Sequence, residues 1–83
     1  MKHQENISLL DQHVIDFVRK LRTDRNLTQQ DLADIIGVSR SFISDVESTN
    51  RPAKYNFRHL NALADYFSVS PKDFMPKKAF PVD

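Results

Sequence analysis

Glycine occurs once in this 83-residue chain, at position 37. Both glycine-rich phosphate cradles, the P-loop and the dinucleotide fingerprint, need at least two, so a single glycine excludes them. The position is informative in another way. Thr28, followed three residues later by Asp31, is a capping-box variant and starts a helix over about 28–36. Leu32, Ala33 and Ile36 give that helix an apolar face, and Gly37 stands where a left-handed cap ends it. Only Val38 separates Gly37 from the next N-cap, Ser39. A third helix then runs over about 39–48, with Ile43 and Val46 facing inward. Two short helices joined by a tight turn containing glycine have the signature of a helix-turn-helix, here spanning 28–48.

The rest of the chain also reads as helix. Leu10, Val14, Val18 and Leu21 recur at helical spacing, widened by Ile15 and Phe17, over about 9–25. Ser8 or Asp11 caps this helix, and Asn26 stops it, because asparagine tolerates the left-handed conformation. Residues 49–55 form a polar loop. Asn56 caps a helix over about 56–67, with Phe57, Leu60, Leu63, Ala64 and Phe67 on one face. Ser70-Pro71-Lys72-Asp73 starts a fifth, short helix through Phe74 and Met75, stopped by Pro76. The reading is a single all-α domain over 1–83, with an ordered core at about 9–76 and mobile tails at 1–7 and 77–83.

Cysteine is absent, which excludes disulfides, thiolate nucleophiles and Cys-ligated metals. His3, His13 and His59 are scattered without ligand spacing, so no metal and no cofactor are expected. No nucleophile–base–orienter set emerges, and the chain is not expected to be an enzyme. No export signal or membrane span is legible, and a cytoplasmic location is the default. No small-molecule ligand is evident.

Leu27-Thr28-Gln29-Gln30-Asp31-Leu32-Ala33, Gly37-Val38-Ser39-Arg40-Ser41-Phe42-Ile43-Ser44 and Glu47 resemble the Cro/cI-type (XRE family) helix-turn-helix regulators. The resemblance covers about residues 13–75. It implies a compact five-helix fold of the phage-repressor type and a sequence-specific, double-stranded DNA-binding transcriptional regulator. A repressor is expected, working as a homodimer on a palindromic operator. The family usually carries glycine where this chain has Asn26 and Thr49, and its loop before the fourth helix is about two residues shorter.

In a helix-turn-helix the second helix enters the major groove and its first residues meet base edges. The candidate base contacts are therefore Arg40, Ser41, Ser44 and Asp45. Arg40 carries a fork of donors suited to guanine; a phosphate contact or a solvated arginine are its other readings. Ser41 and Ser44 can touch a base or a phosphate, or simply permit close approach. Asp45 can accept from cytosine, hold a neighbouring arginine, or stand in solvent. Phe42 is read as core or half-core, or against a thymine methyl.

The resemblance gives Gln29 a phosphate bond, assisted by backbone N–H groups. Ser39 is a further phosphate candidate at the start of the third helix. Arg51, Lys54, Tyr55, Asn56 and Arg58 gather three cations, a phenol and a helix start into a phosphate clamp, unless they are merely a solvated basic loop. The family places an ion pair at Arg22 and Glu47, tying the first helix to the third.

Charge is unevenly spread. Residues 1–27 carry net +1, residues 28–50 net −3 and residues 51–83 net +3. Phosphate affinity is therefore expected from the 51–58 segment and specificity from Arg40 and its neighbours. A different class of function remains open: an antitoxin, or another helical interaction module, whose main partner is a protein such as a toxin or a second regulator. The near-neutral total and Asp45 on the reading face favour it.

Overall fold

The computed structural model describes residues 7–48 and 52–82. Among them all regular structure is helical. The elements are α1 (Leu9–Asp24), α2 (Gln29–Ile36), α3 (Arg40–Glu47), α4 (Phe57–Phe67) and a one-turn 3-10 helix, Pro71–Phe74. None is long and apolar enough to cross a membrane.

Every helix start is closed by local chemistry. Ser8, Thr28, Asn56 and Ser70 each form a capping box with the residue three further on, namely Asp11, Asp31, His59 and Asp73. Ser39 caps α3 by accepting from the Phe42 backbone N–H at 3.1 Å, without a reciprocal acid. Three helix ends share one closure. Asn26, Gly37 and Ser68 take positive φ values of 58°, 73° and 57°. The residue after each then donates back five positions: Leu27 to Arg22, Val38 to Ala33 and Val69 to Ala64, each at 3.0 Å. Leu27, Val38 and Val69 all pack against the core. Asn26 thus does what glycine would do there, and the left-handed Ser68 was not legible beforehand.

The fifth helix expected through Phe74 and Met75 is a single 3-10 turn instead. Met75 is extended (φ −104°, ψ 150°) because it precedes Pro76, whose ring disfavours helical backbone before it. Residues 77–82, expected as a mobile tail, bring the Phe80 ring to 6.1 Å from His13.

The core joins all five elements. Val14, Ile15 and Val18 of α1 meet Leu32 and Ala33 of α2, Ile43 and Val46 of α3, and Leu60, Leu63, Ala64 and Phe67 of α4. Phe74 plugs the base, fully buried, with Phe17 edge-on at 5.1 Å. Two expected core residues lie outside: Leu10 is 42% and Phe57 82% exposed. Both sit in the first turn of a helix, where side chains lean out past the end of the neighbouring layer.

Candidate nucleic-acid interface

α2 and α3 pack on each other across Gly37, with α1 and α4 behind them. This leaves the first turn of α3 open. Arg40 and Ser41 are exposed; Ser44 and Asp45, one turn on, are half-buried. Ile43 and Val46 fill the opposite face and fix the rotation of the helix. Phe42 is half-buried, its ring 6.2 Å from Tyr55 and 5.3 Å from His59. That contact orients α3 against α4.

The helix starts divide into two kinds. α1, α2 and the 3-10 turn carry an acid in the first turn: Asp11, Asp31 and Asp73. α3 and α4 carry none, and have Arg40 and Arg58 instead. A cation there opposes the helix dipole by about 0.3–1 kcal/mol at an exposed site. Both arginines are exposed, so packing does not compensate. An anion bound at these two starts would.

Behind them lies a polar cluster. Glu47, its side chain 5% exposed, accepts from Arg22 Nε and Nη2, both at 2.9 Å. Arg22 Nη1 also donates to the Leu27 carbonyl at 2.8 Å, and its side chain is 13% exposed. The pair ties α1 to α3 as a two-toothed fork. Glu47 Oε1 further accepts from Gln29 Nε2 at 3.0 Å. A carboxylate can only accept, so the Gln29 amide must turn its nitrogen inward. One of its two N–H groups is engaged and the other is left for an outside acceptor. This link spans 18 residues and has no sequence signal.

The remaining candidates separate. Ser39 uses its oxygen as a cap and keeps its hydroxyl proton for donation. Asn56 accepts from the His59 N–H at 2.8 Å through Oδ1, leaving its side-chain NH2 group to donate. Lys54 is drawn to Asp11 at 3.7 Å, towards the start of α1. Arg51 lies outside the described residues, as does Thr49.

Tyr55 corrects the sequence reading. It is a core residue, 8% exposed, and its hydroxyl is buried without a hydrogen-bond partner. Burial pushes its phenol above the ordinary range, with Glu47 adding to the rise and Arg22 opposing it. Its ring supports Phe42 and His59, and it cannot belong to an exposed phosphate clamp. The alternation of polar and apolar residues in a short loop carries no period from which this could be read.

His59, one of the scattered histidines, closes the α4 capping box: Nδ1 accepts from the Asn56 backbone N–H at 3.1 Å. Burial lowers its pKa, and Arg58 lowers it further. The Asn-x-x-His spacing matches the Ser-x-x-Asp spacing of the other boxes, and is the signal that could have revealed this role.

A compact bundle with an open α3 start and basic flanks defines a helix-turn-helix DNA-binding class. The family model for the Cro/C1-type helix-turn-helix DNA-binding domain matches residues 18–76, and the chain belongs to that family. A comparison with curated proteins finds no match.

Proposed function

We propose that this DNA-binding regulator is a transcriptional repressor that binds a palindromic operator as a homodimer, in the cytoplasm, and acts by binding alone. α3 enters the major groove. Arg40 reads guanine, Ser41 and Ser44 approach neighbouring bases or phosphates, and Asp45 accepts from cytosine. Gln29, Ser39, Arg51, Lys54, Asn56 and Arg58 hold phosphates. The observation that carries the reading is the pair of acid-free helix starts at α3 and α4, each bearing an exposed arginine. Half-sites are then centred about one helical turn apart, ~34–36 Å.

Selection of bound sequences from a random duplex library tests this. The expected result is an enriched palindrome. Two copies of Arg51, Lys54 and Arg58 give six phosphate-neutralising cations, so affinity should fall roughly a thousandfold between 50 and 200 mM salt. No enrichment, with a salt-insensitive or absent gel shift, would favour the protein-partner reading, of which an antitoxin is one form.

A further inference from the structure

Glu47 Oε1 gathers side chains from two helices besides its own. Arg22 Nη2 lies at 2.9 Å and Gln29 Nε2 at 3.0 Å, and Arg19 Nε of α1 stands 4.0 Å from the same oxygen. The two arginines are held differently. Arg22 is fastened by its bonds to Glu47 and to the Leu27 carbonyl. The Arg19 side chain is 59% exposed, and 4.0 Å is beyond hydrogen-bond length. We propose that Arg19 holds a DNA phosphate, so that α1 joins the DNA-facing surface and Arg19 and Gln29 grip one backbone phosphate between them. The inference rests on the DNA-binding reading and adds a residue to it.

Charge is the first support. Two guanidinium groups stand beside one carboxylate, so this edge carries a surplus cation. Neighbouring cations have partners of their own: Lys20 pairs with Asp24 at 3.1 Å, and Arg25 lies over the Phe67 ring at 4.8 Å. Arg19 has only an acid that Arg22 already neutralises. Turning it outward breaks no hydrogen bond, and an exposed ion pair contributes little to stability. Its Nη groups then stand beside the second amide N–H of Gln29, and neighbouring donors next to a surplus positive charge suit an oxyanion. Position selects phosphate over base. The first turn of α3 meets the base edges, and Glu47 ends that helix, roughly 10 Å further along its axis. Donors gathered there are beyond the bases that Arg40 reads.

The assignment also answers the net −3 of residues 28–50, which need cations from outside that segment to approach DNA. Asn56 and Arg58 stand at the start of α4, which the His59 ring, 5.3 Å from Phe42, places beside the first turn of α3. Arg19 and Gln29 stand beside Glu47, at the last turn. Phosphates are then held at both ends of α3. Two holding points fix its tilt in the groove, where one would fix only its place.

Fluorescence anisotropy of the full chain on a duplex of random sequence, titrated between about 50 and 200 mM salt, tests the proposal. Arg19→Gln should weaken binding about three- to tenfold at the low-salt end and lower the slope of log affinity against log salt by about 0.9 per bound copy. Its melting temperature should match wild type, because the 4.0 Å pair is exposed. Arg19→Lys should restore the slope, since an ammonium also neutralises a phosphate. Lys20→Gln removes the same charge from the next position of α1 and should keep the wild-type slope. Arg19→Gln with wild-type slope and affinity, an equal drop for Lys20→Gln, or a loss of affinity that tracks a lowered melting temperature would overturn the proposal. A wild type that binds no duplex refutes the DNA reading and this inference with it. A wild type that binds, matched by Arg19→Gln, refutes only the part given to Arg19.

Discussion

Glu47→Ala is the substitution whose cost follows most directly from geometry. It removes the acceptor of two 2.9 Å bonds from Arg22 and one 3.0 Å bond from Gln29. The Arg22 guanidinium, 13% exposed, would keep only the Leu27 carbonyl. Breaking one side of a buried pair costs about 3–5 kcal/mol, because the other charge remains desolvated. A chain of 83 residues has a total stability of roughly 4–12 kcal/mol. The substitution therefore removes a large share of it. At about 4–8 °C per kcal/mol for a domain of this size, the melting temperature should fall by more than about 12 °C. Thermal denaturation by circular dichroism, with urea unfolding at an unchanged slope, measures it. The companion Arg22→Met/Glu47→Leu should recover much of the loss, since no unpaired charge is left. A loss below about 1 kcal/mol for Glu47→Ala would refute the reasoning. So would weakened DNA binding with an unchanged melting temperature, or a double variant as unstable as the sum of the singles.

Gly37→Ala meets no atom within 4 Å, so its cost is the left-handed backbone alone, about 1–2 kcal/mol in urea unfolding; Gly37→Asn should cost less. Arg40→Ala should relax specificity at one operator base pair by about 1–3 kcal/mol in competition gel shifts, with stability unchanged or slightly raised because a cation leaves the helix start. His59 adds a pH dependence: its folded pKa lies below the ordinary ~6.5, so the unfolded chain takes up the proton first. The stabilisation is complete above about pH 6.5 and lost as pH falls through the folded pKa. Protonation also removes the Nδ1 acceptor of the α4 cap, and His59→Gln should flatten the fall in melting temperature between neutral and mildly acid pH.

The helices and their ends were largely legible in the sequence, and the reason is range. A cap joins residues three apart, so Ser8–Asp11, Thr28–Asp31 and Ser70–Asp73 stand written in the chain. Gly37 and Asn26 mark left-handed ends by their backbone preferences alone. The inward faces of α2 and α3 followed from period, and Ile43, Val46 and Leu32 are indeed buried. The Arg22–Glu47 pair, 25 residues apart, was reached only through the family resemblance. The candidate base contacts share one face of α3 because residues 40, 41, 44 and 45 recur at helical spacing.

Tertiary structure decided what the segments do where their pattern is too short to have a period. Tyr55 went inside because the space between α3 and α4 needed a ring against Phe42, not because its loop is apolar. Phe57, two residues later, went outside because it stands in the first turn of α4, where its side chain leans past the end of the face that presents Leu60, Leu63 and Phe67 to the core. Gln29 acquired its orientation from Glu47, 18 residues away. The sequence by itself determined an all-helical chain with a helix-turn-helix around its one glycine, since those choices are set by neighbours along the backbone. Which aromatic goes beneath α3 and which stays outside the core is a competition for volume among all five elements, and only their packing settles it.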